Sequence, residues 1–175
     1  ECLEGLTLNS FSDKEFQAGS FFLQPFNISH DAYAVTSGFT VRSRSAGESY
    51  LTYASDLGYF PDELIQFFKN SRAIVLESNH DPDLLWKNPR RPFNHKKRVT
   101  GQGHLSNLQA AEALVKTIRS SKKAPEVVVL CHLSRDHNTP ELAVETVGTA
   151  LNKEGITIPV YAAGRQERTE FFEII

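Results

Sequence analysis

The sequence predicts a layered α/β domain, and three observations predict it. The first third is dense in β-forming and aromatic residues, and from about residue 60 short apolar runs alternate with capped, amphipathic helical stretches. No linker, repeat or low-complexity tract divides the 175 residues, which suffice for a single domain with one buried core. Strands first, then strands alternating with helices, is the order of a layered α/β architecture.

The elements follow in chain order. Phe21 to Ile28 reads as a strand, with Pro25 favouring an edge or a bulge because it lacks an N–H. Gly38 to Arg42 and Ser49 to Tyr53 alternate β-formers with polar residues. Pro61 then fits a first helical turn, with Asp62 and Glu63 at the positive end of the dipole. Ala73 to Leu76 is a short buried strand. Ser106-Asn107-Leu108-Gln109 matches a capping box, and Leu108, Ala111, Val115 and Ile118 behind it recur at helical spacing. Val127 to Leu130 is another buried strand. Thr139-Pro140-Glu141 opens a helix with Ala143, Val147, Ala150 and Leu151 on its inner face, and Ile156 to Tyr161 is the last strand.

Bulk properties narrow the functional classes. A net charge of −2 gives no global field toward nucleic acid or an anionic membrane, so any such contact must come from a local patch. No apolar run approaches the roughly 18 residues of a membrane span. Cys2 and Cys131 are far apart and form no zinc-ribbon spacing, which fits a reducing, cytoplasmic setting. The start, Glu1-Cys2-Leu3-Glu4, is neither a signal nor a transit peptide, and the chain has no methionine. A chain processed, trimmed or begun partway through a longer protein is therefore expected.

Histidines and acids fall where the strands end. His30 follows the first strand, Asp56 the strand ending at Tyr53, Glu77 the strand ending at Leu76, and His132 the strand ending at Leu130. Strand ends of an α/β sheet are where catalytic groups gather. Imidazole and carboxylate are the ligands of zinc, manganese or iron, and such a metal polarises a phosphoryl or carbonyl oxygen. Taken singly, each residue is more simply a hydrogen-bonded polar group at a strand end. Spacing and composition leave that choice open.

Five segments carry a resemblance. Ile28-Ser29-His30-Asp31-Ala32, Ser55-Asp56-Leu57-Gly58, Leu76-Glu77-Ser78-Asn79-His80-Asp81, Gly103-His104-Leu105-Ser106-Asn107 and His132-Leu133-Ser134 occur in the order found in metallo-β-lactamase-fold proteins of the YycJ/WalJ type. They also resemble the ribonuclease Z relatives of that group. The resemblance runs from about residue 15 to the end and implies the C-terminal part of an αββα sandwich, with residues 1–175 forming one domain portion. It implies two divalent metals, zinc or manganese, held in part by His30, Asp56 (bridging) and His132. It further implies that His104 protonates the leaving oxygen and that Glu77 orients it. A carboxylate bonded to imidazole fixes the tautomer and raises the basicity of the ring, which makes that pairing physically sensible. Without the resemblance, His104 reads equally as a residue beside the Ser106 cap.

One departure is large. The His-x-His-x-Asp-His motif that supplies most metal ligands in this family is absent from these 175 residues. It is expected upstream, and the isolated chain is expected to hold metal weakly and to be close to inactive. The expected function is a metal-dependent hydrolase, a phosphodiesterase or nuclease acting on DNA or RNA. The alternatives are a small-molecule metallohydrolase acting on a thioester or lactone, and a non-catalytic binding module. Lys87, Arg90, Arg91, Lys96, Lys97 and Arg98 form a dense basic stretch, expected as a loop. Arg91, Lys96, Lys97 and Arg98 there are candidate backbone-phosphate contacts, with Phe93 and His95 as stacking partners. A solvated surface run is the plainer reading. His80 and Asp81 are candidate substrate contacts or supports for the ligands. His95 and His137 are expected at the surface, Asn138 as a helix cap and Trp86 as a packing residue.

Overall fold

The computed structural model describes residues 10–43, 50–164, 168, 172 and 173. They form a seven-stranded mixed sheet in sequential order, β1 (Phe16–Ala18), β2 (Phe21–Ile28), β3 (Thr36–Ser43), β4 (Tyr50–Ala54), β5 (Ala73–Glu77), β6 (Val127–Cys131) and β7 (Val160–Ala162). β1 to β4 form an antiparallel meander, whereas β4 to β7 run parallel. Parallel neighbours need long crossovers. These contain α1 (Ile65–Phe68), α2 (Pro82–Lys87), α3 (Phe93–Arg98), α4 (Asn107–Arg119) and α5 (Pro140–Lys153).

One face of the sheet carries the core. Its rows Thr52–Ile74–Val128–Val160 and Ala54–Leu76–Leu130–Ala162 are set by the strand register. Ala54, Ile74, Leu76, Val128 and Leu130 of these rows, with Phe26 and Ile28, belong to the cluster that includes Ala110, Leu114 and Ile118 of α4 and Ala143, Val147 and Leu151 of α5, and Val160 and Ala162 pack against it. The opposite face carries the row Phe39–Tyr53–Val75–Val129–Tyr161, in which Tyr53 is 38% and Tyr161 42% exposed. The described residues thus supply one sheet and one helical layer.

Several expectations need correction. Only Val160 and Tyr161 of the expected Ile156–Tyr161 strand join the sheet, in a strand that ends at Ala162. Pro159 has no N–H to contribute and offers only its carbonyl, which accepts from Val128 N at 3.0 Å. The helix expected at Pro61 begins as a 3₁₀ turn, Asp62–Leu64, before the single turn of α1. Pro25 lies inside β2, but past the point where β1 stops, so that flank is locally an edge. Leu108 is 61% exposed, and α4 instead buries Ala110, Ala111, Ala113, Leu114, Thr117 and Ile118. Its capping box, with Ser106 accepting from Gln109 N and Gln109 reaching back to Ser106 N, sets that phase. The basic stretch is only partly a loop: Arg90 and Arg91 lie in the turn between α2 and α3, but Phe93–Arg98 is α3, which runs into a π-helical turn, Val99–Gly103. Ser49 and Cys2 lie outside the described residues.

Candidate metal centre

Topology explains why distant residues meet. β2 and β4 are each antiparallel to β3, so they run the same way, and β5 and β6 run parallel to β4. The C-terminal ends of β2, β4, β5 and β6 therefore share one edge, and they deliver His30, Asp56, Glu77 and His132 to it. His104 arrives from the β5–β6 crossover. The segment after the π turn is stitched beside β5: Asn79 N donates to Leu105 O at 2.9 Å, and His80 bridges to Ser106.

Glu77 is the hub. Its side chain is 0% exposed, and five donors reach its two oxygens. Oε1 accepts from His104 Nδ1 at 3.1 Å and Leu105 N at 2.9 Å. Oε2 accepts from His132 Nδ1 at 3.0 Å, Asp56 N at 2.6 Å and Leu57 N at 3.3 Å. Burial raises the pKa of this carboxyl, but hydrogen bonds and charge from His104 and His132 outweigh it and hold the group below the usual glutamate range. A buried carboxylate without such partners would neutralise instead.

Glu77 also sets the chemistry of the rings. An ionised carboxylate only accepts, so His104 and His132 carry their protons on Nδ1 and keep the Nε2 lone pair for a metal or a transferred proton. His30 reaches the same state differently, donating Nδ1–H to the Gly103 carbonyl at 2.8 Å. Its Nε2 lies 3.8 Å from Asp56 Oδ1. Asp56 Oδ1 is also 3.6 Å from His132 Nδ1 and 3.9 Å from His104 Nδ1. Asp56, Glu77, His104 and His132 each bring a ligand-type atom within 4.8 Å of the others, a candidate metal-binding group. Asp56 and His132 are 42% and 41% exposed, so the open side of the cluster belongs to them and the sealed side to Glu77. Both also hold left-handed backbone, at φ 59° and 56°, where the chain turns sharply off β4 and β6.

The loops interlock. Gly58 N donates to Ser29 O at 2.6 Å, and a Cβ on Gly58 would fall 2.3 Å from Gln102 O. Three asparagines, none of them expected as site residues, complete the frame. Asn79 Nδ2 donates to His132 O at 2.7 Å. Asn138 Nδ2 bonds Ser78 O, Asn79 O and Asn107 Oδ1, while Asn107 Oδ1 also accepts from Ser78 Oγ. Thr139, not Asn138, caps α5, by accepting from Leu142 N. The asparagines stand inside the quoted motifs, but a single sequence does not separate buried from solvated amides.

The candidate substrate contacts divide. Lys96 is buried and donates to Trp86 O at 2.8 Å, which takes it out of the basic surface. Arg98 pairs with Asp31 at 3.0 Å, and Arg91 pairs with Asp136. Lys97 is exposed. His80 is 1% exposed, and its Nδ1 has no partner; burial, then the charge of His104, pushes its pKa down to about 4. It is enclosed. Asp81 caps α2 by accepting from Leu84 N. His137, expected at the surface, is 4% exposed. Trp86 is half-exposed beside the Phe93 ring, and His95 is partly buried.

No protein-family model matches the chain. It is 32% identical over 141 residues to "Exodeoxyribonuclease YycJ" of Bacillus anthracis, covering 80% of this chain and 50% of that protein. It is 29% identical over 161 residues to "Exodeoxyribonuclease WalJ" of Streptococcus pneumoniae, covering 89% and 57%. The chain spans about half the length of the curated relatives it matches. Among solved structures, the metallo-β-lactamase-fold protein YhfI from Bacillus subtilis superposes with a TM-score of 0.59 at 16% identity, over 86% of this chain and 50% of that one. Zinc-bound PqqB from Methylobacterium extorquens gives 0.55 at 13% identity, over 87% and 52%. Sequence kinship and architecture agree: the chain is a homologue of the YycJ/WalJ exodeoxyribonucleases and carries the metallo-β-lactamase fold over the part it spans.

Proposed function

We propose that this chain contributes to the active site of a metal-dependent phosphodiesterase that degrades nucleic acid, with DNA favoured by the names of both curated relatives. The observation that carries the reading is the sealed Glu77 carboxylate holding His104 and His132 beside the half-exposed Asp56. The donor set fits a divalent transition metal, since the rings keep Nε2 lone pairs and Asp56 adds an accessible carboxylate. When bound, the metal supplies Lewis-acid polarisation of a phosphoryl oxygen.

In this reading Asp56, His132 and His30 are the ligands that the chain provides. Shared between two metals, they leave each short of the usual three to four protein ligands. The remainder, with the second pair of layers, would come from the half of the fold that the relatives have outside the matched region. His104 gives a proton from Nε2 to the leaving oxygen, and Glu77 keeps its ring aimed and stabilises the charged imidazole. Among the described residues no helix is long and apolar enough to cross a membrane. A cytoplasmic location belongs to this reading through its nucleic-acid substrate.

Two variants of the complete protein test the roles, assayed for bound zinc or manganese and for cleavage of an end-labelled oligodeoxynucleotide. Asp56→Ala is expected to lose metal. His104→Ala is expected to keep it while turnover falls about 10²- to 10⁴-fold. Metal loss in His104→Ala matching that of Asp56→Ala would make His104 a ligand and overturn the proton-donor role.

A further inference from the structure

A cavity of about 290 Å³ opens beside His104 and His132, walled by the loop after β6 and by α3. The hydrogen bonds behind its wall fix the direction of one hydroxyl. Arg90 N donates to Asn88 Oδ1 at 2.9 Å, which orients that amide with Nδ2 facing the other way. Asn88 Nδ2 then donates to His137 Nε2 at 2.9 Å, so Nε2 is the acceptor nitrogen and the ring proton sits on Nδ1. His137 Nδ1 faces Ser134 Oγ at 3.4 Å, so Ser134 accepts there and keeps its own proton to donate elsewhere. Ser134 N–H is already used on Asn79 O.

The wall carries two guanidinium groups, Arg91 and Arg135, and one carboxylate. Asp136 is the carboxylate here, and it accepts from Arg91. Arg135 is exposed on the same wall and has no ion pair among the described residues. Ser134 and Arg135 follow His132 closely in sequence, so no more than about 10 Å of chain separates the guanidinium-bearing residue from the candidate ligand. A hydroxyl donor and a guanidinium outside any ion pair, on the wall of one cavity, make a recognition set for a phosphate group.

We propose that Ser134 and Arg135 form a phosphate subsite in this cavity, taking a phosphate of the nucleotide next to the one under attack. The subsite itself stands on the cavity. Only the word nucleotide rests on the nuclease reading above. Arg135 supplies the charge, Ser134 the directed donor, and Asn88 and His137 are positioning residues that set the hydroxyl.

The test is an NMR titration of the complete protein with inorganic phosphate. A chelator keeps it metal-free so that a metal cannot bind the anion, and chloride at matched ionic strength is the control. Shifts are expected at Ser134, Arg135 and His137. Arg135→Gln should weaken binding about tenfold and Ser134→Ala about threefold to fivefold. Asn88→Ala should also weaken it without touching the ligand, because His137 Nε2 then loses its donor. All three positions are near the surface, so each variant's spectrum reports whether it has folded. Absent shifts, or equal affinity in wild type and Arg135→Gln, overturn the subsite. Oligonucleotides with and without a terminal phosphate separate the sources: tighter binding of the phosphorylated one assigns a strand end, and equal binding assigns an internal phosphodiester. Phosphate binding in a protein whose complete form cleaves no DNA leaves the subsite and removes the nuclease reading. Cleavage without a phosphate response at these residues does the reverse.

Discussion

Glu77 shows how one side chain organises a site. Five donors converge on a carboxylate with no exposure, and three of them are backbone N–H groups from the turns after β4 and the π turn. Its removal would strand those donors and release both imidazoles. Glu77→Ala is therefore expected to cost about 3 to 5 kcal/mol in denaturant unfolding and to weaken metal binding about 10- to 100-fold. A cost below 1 kcal/mol would mean that the turns hold without it. The pairing of Glu77 with His104 was legible through the family resemblance. The second bond, to His132, was not, because nothing in the spacing of residues 77 and 132 shows that β5 and β6 are neighbours. Cys131 shows the opposite side of the same environment. Burial, then the charges of Glu77 and Asp56, push its thiol up to about 12, so it is a packed, inert group rather than a nucleophile.

At the scale of elements, the information lies in how loops touch. The capping box of α4 and the Thr139 cap of α5 are local, needing only a few consecutive residues, and both were legible. The phase of α4 was not, since Leu108 faces solvent while Asn107 is buried in the amide frame. The basic stretch misled for a similar reason: a lysine on a short helix against Trp86 buries its head on a carbonyl, and composition cannot see that carbonyl. Gly58 gives the testable case. Its contact with the Gln102 carbonyl joins the Asp56 turn to the turn that ends at His104, and His30 closes the third side on Gly103 O. Gly58→Ala should force those turns apart, costing about 1 to 3 kcal/mol in thermal or denaturant unfolding. Unchanged stability and metal affinity would show that the turns can part without consequence.

For the molecule as a whole, acid lability follows from buried groups, of which Glu77 and His80 are the most deeply enclosed. His80 is enclosed with its pKa depressed to about 4, against an ordinary value of 6.5, so the native state resists the proton that the unfolded chain accepts. Its contribution is complete above about pH 6.5, is lost as pH falls from there and levels off near pH 4, an effect on the order of 3 kcal/mol. Glu77, also depressed, acts lower: its contribution is present above its unfolded value and lost as pH falls through the folded one. Urea midpoints should thus decline from pH 7 downward in two stages. His80→Asn should flatten the first stage, and an unaltered slope in that variant would place the lability elsewhere. At the same scale, one sheet face is filled by helices and the other presents Tyr53, Val75, Val129 and Tyr161 half-covered. Parallel strands are ordinarily covered on both faces.

By itself the sequence determined the class of fold, the places of most strands and of the two long helices, and which histidines and acids stand at strand ends. Those are local properties, carried by apolar runs and caps a few residues long. Only the tertiary structure decided that the ends of β2, β4, β5 and β6 share one edge. It also decided that Glu77 is sealed between His104 and His132, that Lys96 and His80 are enclosed, and that Ser134 and Arg135 face a cavity. Each of these depends on partners tens of residues away, joined by strand direction and burial. A chain read one window at a time contains neither.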